Sequence, residues 1–552
     1  MKQRIAIVLL VALPATLLAA VPPRYNFSAA HALPAPAQDL SRMTAARWQR
    51  DLEFVERELP KVHPDAFSER SREEFTKDLA ELRTAPPGLT PHQVMFALAR
   101  IVASLQDGHT RLSLPLAPDL EFFQGHAATP PPKDPLLEVK ALPIRLALLS
   151  DGLFVERIDA KYREVVGARV VSIGRLTADA AMQAIAPFLE HDNEMGIKAL
   201  LPSRLVLPAL LHSAGVAPRH DEVAMSFETG TGRRVELTLR PQSATEIEWV
   251  EPRNLERAAP LFLRDNEKPY WFEYLKDSKI LYFQYNECTD APDETLEDFM
   301  QRLLAQAGDG AARALVIDLR NNRGGSNEVN RAVVHALLRH PQFRERGRLF
   351  VLIGRNTFSA AMMLTIDLEK HTRAILVGEP TGARPNHFGD SRRLTLPESG
   401  LTLRVSSLYW QYSDPRDRRA AIEPHLVAER SSADLAAGRD PALEIIESFL
   451  SRDPRAPEEA AGSWSGELGT TEASMTLAQA GGELEGKLAT GPQALPMQGV
   501  EVDGRWLRFS VPLGPRAMVL EAAWFGDVLV GDAEWGSMWL PFVMRRTSEN
   551  QE

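Results

Sequence analysis

Ser359 is the first residue to weigh as a nucleophile. It follows the apolar run RLFVLI (348–353) and the turn GRNTF, and it opens the helical stretch AAMMLTIDLEKH. A hydroxyl in that place lies at the carboxyl end of a strand, beside the free N–H groups and positive dipole end of a helix. Such groups can stabilise the oxyanion that forms when serine attacks an acyl carbon. Seen alone, a serine there is also an ordinary helix N-cap. The preceding apolar run ends in DLRNNRGG, where Gly324 and Gly325 make a tight turn. Backbone N–H groups of that turn would face the same sheet edge and complete an oxyanion hole; a plain strand-to-helix turn is the other use of paired glycines. A serine hydroxyl also needs a base. His109 stands out because it follows an amphipathic helix in the segment DGHT, but spacing alone leaves His387 and His425 as rivals. Neither GxSxG nor HExxH occurs, so the local signatures of lipase-type hydrolases and zinc peptidases are missing.

The segments LQDGHT, LVIDLRNNRGG, NTFSAAM and LVGEPTG, in this order, together resemble the tail-specific (C-terminal processing) serine peptidase family, in particular its tricorn-like branch. The likeness covers roughly residues 41–450 in organisation. It implies that Ser359 is the nucleophile and His109 the base, and that the Ala360 N–H joins Gly324 or Gly325 in the oxyanion hole. The other branch of the family uses a Ser-Lys dyad, with its lysine in a GExTxGK-like segment. Here that segment reads GEPTGAR, which puts Arg384 at the lysine position. An arginine stays protonated and cannot accept a proton from serine, so the Ser-His mechanism is expected. The resemblance further implies a carboxylate downstream of the nucleophile. The stretch YSDPRDRRAAIEPHLV offers Asp414, Asp417 and Glu423, of which Asp417 is the preferred match. The tricorn protease carries a serine immediately before its catalytic histidine, where this chain has Gly108.

Other chemistry-bearing residues have plainer readings. Cys288, the single cysteine, follows an apolar strand and reads as a small buried hydrophobe. His191, Asp192, Asn193 and Glu194 are consecutive and so point in different directions, which favours a solvated loop over a metal site. Trp464, Trp506, Trp524, Trp535 and Trp539 read as core packing.

The elements that must position these residues follow from periodicity. Val94, Ala97, Leu98, Ile101, Val102 and Leu105 form one face of a helix, and Gly108 is expected at its C-terminus in a positive-φ conformation. The runs 314–319, 348–353 and 374–378 read as buried strands separated by helices, a parallel βαβαβ core. One helix presents Val329, Ala332, Val333, Ala336 and Leu337, and the other presents Ala360, Met363, Leu364 and Leu368.

The chain is thus expected to be an α/β multidomain protein. Residues 1–20 read as a signal peptide, with a basic start, an apolar run and small residues at its end, and 21–40 as a flexible leader. A helical domain carrying the base (41–115), a linker (116–136) and a β-rich module (137–245) follow. A connector (246–275), the α/β core (276–450), a second linker (451–462) and an all-β accessory domain (463–547) complete the chain. From the resemblance, the core would be crotonase-like or Clp-like and the β-rich module PDZ-like, a type that binds extended peptide ends by strand addition.

The length of 552 residues demands several cores, and the lone cysteine excludes an intramolecular disulfide. A net charge of -11 without a Lys/Arg-rich tract argues against nucleic acid as a partner. The expectation is an exported serine peptidase, periplasmic or extracellular, acting on polypeptides with no metal or organic cofactor and no membrane span after signal cleavage. The competing readings are a vestigial peptide-binding protein of the same fold and an esterase using the same two residues.

Overall fold

In the computed structural model the described residues are 43–84, 88–116, 133–252, 259–308, 311–451, 457–481, 483–514, 516–536 and 538–547. The signal and leader (1–40), most of the first linker and part of the second lie outside the described residues.

The chain enters through three helices, α1 (Ala45–Val62), α2 (Arg72–Arg83) and α3 (Pro91–Ala103). Ser71 and Thr90 close capping boxes on α2 and α3, each satisfying N–H groups that the first turn leaves open. Val94, Leu98, Ile101 and Val102 are buried on α3 as the periodicity requires. The helix ends at Ala103, earlier than expected, and the positive φ falls on Gln106 and not on Gly108. Gly108 is small for a different reason: a Cβ there would lie 2.9 Å from the Phe358 ring and 3.2 Å from Asp192 Oδ1. The turn delivers the chain into β1 (Arg111–Ser113).

The β-rich module contains β2 (Ile144–Leu149), β3 (Gly152–Asp159), β4 (Arg169–Ile173), β5 (Leu176–Thr177), β6 (Val223–Glu228), β7 (Arg234–Leu239) and β8 (Trp249–Val250). They form an antiparallel sheet in the order β2-β3-β4-β6-β7, with β5 on β4 and β8 on β3. Helices α4 (Ala178–Ile185), α5 (Glu194–Arg204) and α6 (Pro208–Ser213) cover it. One continuous apolar cluster runs from Leu52 and Phe96 through Ile158 and Phe227 to Leu403 and Val405, so the helices and this sheet share a core.

The central sheet has the order β18-β13-β12-β11-β10-β9. Its strands are β9 (Tyr270–Leu275), β10 (Ile280–Tyr285), β11 (Ala314–Asp318), β12 (Leu349–Ile353), β13 (Ile375–Gly378) and β18 (Leu426–Val427). Only β9 is antiparallel. The three apolar runs read from sequence are its middle, and every residue of β10 to β13 is buried, as a sheet covered on both faces requires. The stretch YWFEYL, expected within a connector, is β9: its aromatic residues have high strand propensity and it pairs with β10 over its full length. Helices α7 (Leu296–Ala307), α8 (Asn330–Arg339) and α9 (Ala360–His371) pack on one face; α10 (Ser432–Ala437) and α11 (Pro441–Ser451) follow the last strand.

Between β13 and β18 the chain makes two hairpin-like excursions. β14 (Asn386–Gly389) pairs with β17 (Leu408–Gln411), and β15 (Arg392–Thr395) pairs with β16 (Thr402–Val405). β16 also pairs with β1, placing Arg111 opposite Arg404. That pairing ties the segment carrying His109 to the excursion between β13 and β18.

From Gly462 to Arg546 the chain forms an antiparallel sheet of nine described strands. The strand Gly462–Leu468 pairs with Thr471–Ala480 on one side and with the last strand, Met538–Arg546, on the other. Trp464 and Trp524 are buried in its core, whereas Trp535 is exposed.

Candidate active site

The turn between α3 and β1 is built on Asp107. Its Oδ1 accepts the His109 N–H (2.9 Å), and its Oδ2 accepts the hydroxyls of Thr110 (2.5 Å) and Ser406 (2.6 Å). His63 Nε2 lies 3.1 Å from the same oxygen. Because His63 Nδ1 accepts the Asp65 N–H (3.1 Å), its ring hydrogen sits on Nε2 and is donated to Asp107. Burial alone would raise the Asp107 carboxyl. The bond from His63, the charge of His109 and the hydroxyls of Ser406 and Thr110 outweigh it and hold the group well below the ordinary carboxylate range. Four donors from α1's exit, the base turn and the start of the β16–β17 link therefore meet on one side chain.

Ser359 emerges from a turn that is equally fixed. The Thr357 hydroxyl accepts from Gly354 N–H (3.0 Å) and donates to the Leu319 carbonyl (2.9 Å), and the Phe358 N–H donates to the Asn322 carbonyl (3.1 Å). Ser359 itself has φ 53° and ψ −124°. A non-glycine residue held there costs on the order of 1–3 kcal/mol, and such strain clusters at functional sites. The N-cap reading fails in one respect: the Ser359 side chain caps nothing. Its Oγ instead lies 3.0 Å from His109 Nε2, across 250 positions of sequence.

Gly324 and Gly325 have φ 101° and 135°. A Cβ on Gly324 would lie 2.7 Å from the Ser359 Cβ and 2.9 Å from the Ala360 nitrogen; one on Gly325 would lie 2.3 Å from the Cys288 carbonyl oxygen. Side-chain-free backbone is therefore required at both positions. The Gly324 N–H is committed to Asn322 Oδ1 (2.9 Å). The N–H groups of Gly325 and Ala360 meet no acceptor among the described residues, which leaves these two amides open beside the hydroxyl.

The His109 imidazole is buried, stacked on Phe358 (ring centroids 4.5 Å apart) and on His387 (5.5 Å). Burial, reinforced by the charge of His387, pushes it down to about 3, so the ring is neutral at ordinary pH. A neutral ring with hydrogen on Nδ1 presents a lone pair at Nε2, the atom facing Ser359. Nδ1 has no partner among the described residues. Of the rival histidines, His387 lies beside His109, pushed down to about 4 mainly by burial. His425 is elsewhere, its Nδ1 accepting the Leu376 N–H (3.0 Å).

Asp417 is not brought to this pair. Its carboxylate takes the Ser413 hydroxyl (2.7 Å) and the Arg419 guanidinium (2.9 Å), and Arg419 is held in turn by Glu369 on α9 (2.8 Å). Asp414 pairs with Arg416 (3.0 Å), and Glu423 is exposed. Asp414 and Glu423 therefore lie on the surface, and the half-buried Asp417 is turned to its own group with Ser413, Arg419 and Glu369.

Asp192 is not in the solvated loop that its sequence neighbours suggest. It is 4% exposed, and its Oδ1 accepts the Gly108 N–H at 2.7 Å. Burial, then the charge of Asp107, pushes its carboxyl up to about 7. Its carbonyl accepts Arg384 Nε (2.8 Å), and the Arg384 guanidinium also pairs with Glu69 (2.6 Å). Asn193 caps α5 through the Gly196 N–H (2.9 Å) and donates to the Thr381 and Ala420 carbonyls (3.0 and 2.7 Å). The available signal was the N-cap pattern of an Asn just before a helix, which argues against an unstructured loop. Cys288 is fully buried, and burial pushes its thiol up to about 12, so it is no nucleophile here.

A serine, a neutral histidine and two open amides in this arrangement can carry out acyl transfer. A family model, peptidase family S41, matches residues 326–428, a span that holds Ser359 and all of α9. The part of the chain that carries Ser359 is thus similar to the peptidases of family S41. Among solved structures, mature CPAF complexed with lactacystin superposes with a TM-score of 0.52 at 13% identity, over 74% of this chain and 98% of that one. The photosystem II D1 C-terminal processing protease gives 0.36 at 14% identity, over 73% and 97%. The tricorn protease gives 0.35 at 13%, over 74% of this chain and 37% of that one. At such identities the likeness to CPAF is one of fold. No curated protein sequence matches the chain.

Proposed function

We propose that the protein cleaves polypeptides by acyl transfer through a Ser-His site, with Ser359 as nucleophile and His109 as general base. The observation that carries this reading is the 3.0 Å approach of His109 Nε2 to Ser359 Oγ. His109 takes the serine proton as Oγ attacks the peptide carbonyl, and the Gly325 and Ala360 N–H groups hold the oxyanion. His109 then protonates the leaving amine, and water, deprotonated by the same imidazole, hydrolyses the acyl-enzyme. Asp107 acts on the backbone of His109 and holds its turn, and Asp192 holds the adjacent peptide. Arg384 supports this Ser-His reading, since it binds the Asp192 carbonyl and Glu69 and cannot serve as a base.

The core is proposed to be crotonase-like, and the sheet of residues 137–245 a PDZ-like module that presents extended peptide to the cleft. Export is proposed from the N-terminal 20 residues; among the described residues no helix is long and apolar enough to cross a membrane. The test of activity is incubation of the mature protein with an unfolded polypeptide and mass analysis of the products. Discrete new peptide termini, absent with Ser359→Ala, are expected. Intact polypeptide beside rapid turnover of short-chain esters would instead make the enzyme an esterase.

A further inference from the structure

The turn after β11 carries two asparagines ahead of its glycines, and they face different ways. Asn321 is partly exposed and donates to the Phe262 carbonyl (2.5 Å). Asn322 is buried, and all four of its polar atoms are bonded. Its N–H donates to the Leu319 carbonyl (3.0 Å), and its carbonyl accepts the Phe358 N–H (3.1 Å). Its Nδ2 donates to the Tyr285 carbonyl at the end of β10 (2.9 Å). Its Oδ1 accepts the Gly324 N–H (2.9 Å) and the Cys288 thiol (3.5 Å). This one residue therefore joins the ends of β10 and β11 to the turn that carries Ser359. The glycine pair has no side chain to hold it at φ 101° and 135°, and glycine has the most conformations to lose. Three bonds fix it. The Cys288 N–H donates to the Gly324 carbonyl (2.9 Å), and the Cys288 carbonyl accepts the Ser326 N–H (2.7 Å). A planar trans peptide points its C=O and N–H in opposite directions, so the first of these turns the Gly325 N–H away from Cys288. The third, to Asn322 Oδ1, takes the Gly324 N–H out of competition. It is the only one of the three made by a side chain.

We propose that Asn322 is the positioning residue of the oxyanion hole: its side chain makes Gly325, and not Gly324, the amide that faces the oxyanion, and its carbonyl ties that amide's turn to the turn of the nucleophile. The inference rests on the Ser-His reading and names what aims one of its two donors. Without the Asn322 side chain the Gly324 N–H and the Tyr285 carbonyl lose their partner, and the glycine pair is free to rotate. The approach of His109 to Ser359 involves none of these atoms. The loss should therefore fall on the transition state and not on substrate binding.

The test reads the hydrogen bonds of the hole directly. The full mature chain is acylated with a cinnamoyl ester, with and without ¹³C at its carbonyl, and the isotope difference in the infrared isolates the acyl C=O stretch. Donors on that oxygen lower its wavenumber. In Asn322→Ala the band should move to higher wavenumber than in the parent. For the same ester kcat should fall about a hundredfold, with KM kept within about threefold. Asn322→Asp is the conservative partner, and it carries the test should the alanine variant not fold. In its acid form the new carboxyl can accept from Gly324 and donate to the Tyr285 carbonyl; as a carboxylate it meets that carbonyl with no proton. Relative to the parent at each pH, its band and kcat should recover as pH falls from about 8 to about 5, the range in which a buried carboxyl takes up its proton. Tyr285 and Cys288, which pack on this side chain, are both pushed up by burial and stay neutral over that range, and the neighbouring Arg323 stays charged. An unmoved band, a loss that falls on KM, or a loss in Asn322→Asp that is the same at both ends of the range would overturn the proposal. A parent that forms no acyl-enzyme would overturn the Ser-His reading itself, and this inference with it.

Discussion

Asp107 accepts four hydrogen bonds with none of its capacity facing solvent. Asp107→Asn would turn an amide N–H₂ toward donors that need an acceptor, at a cost of roughly 2–4 kcal/mol, and would release the His109 turn. A lower urea midpoint and a labelling rate at the serine reduced about a hundredfold or more are expected. Asp417→Asn, by contrast, weakens a half-buried pair with Arg419, worth about 1 kcal/mol, and should leave kcat within about twofold. A large loss of kcat at unchanged stability would mean that Asp417 reaches His109 during turnover. The depressed His109 group sets the pH dependence: the neutral, basic ring persists until pH falls through about 3, so the acid limb of serine labelling should lie below pH 5. A limb near 6.5, the ordinary imidazole value, would show a ring more hydrated than this site allows. Ser359 and His109 are legible as types in suggestive places, but only the family resemblance favours His109 over His387 and His425. Asp192 is not legible in the sequence because its burial comes from chain segments more than 80 positions away.

At the scale of elements, the site is the meeting of two turns, DGHT after α3 and the Gly324-Gly325 turn after β11, with the helix start at Ser359. Gly324→Ala would insert a methyl 2.9 Å from the Ala360 nitrogen, between that N–H and the oxyanion it is proposed to hold. Loss of one such donor lowers kcat by about two to three orders of magnitude, and the positive φ adds about 1 kcal/mol of destabilisation. Steady-state kinetics alongside thermal melting checks both effects, and an active, stable variant would contradict the oxyanion assignment. The central strands were readable because full burial writes itself as continuous apolar runs. The pairing of β1 with β16 was not readable, since a three-residue strand has no periodicity and its partner lies 289 positions on. The helix end near Gly108 was misplaced because a glycine kept for close approach and one kept for positive φ look alike in sequence.

The whole molecule is more closely joined than its composition shifts suggest. The outer face of the C-terminal sheet, through Ala523, Val530 and Phe525, packs on Phe350, Ile446 and Phe449 of the core, and Phe449 stacks on Phe525 at 4.3 Å. Arg346 and Asp532 form a buried ion pair across this contact. Asp532→Ala strands a buried guanidinium and should cost about 3–5 kcal/mol, read as a lower denaturant midpoint. Replacing both residues by apolar ones of similar size should recover most of that loss. If the single variant melts like the parent, the C-terminal sheet is docked more loosely than this contact requires. Alternation and turn glycines made that sheet legible strand by strand. The residues that dock it carry no local signature, because its outward face resembles any half-exposed strand surface.

The most direct test of the central claim is the reaction of the purified mature protein with a fluorophosphonate, followed by intact mass. One adduct per chain is predicted for the parent, none at this site for Ser359→Ala, and a rate lowered by two orders of magnitude or more for His109→Ala. A folded parent that takes no label, or labelling that persists in Ser359→Ala, would contradict the assignment of Ser359 and His109 as the catalytic pair.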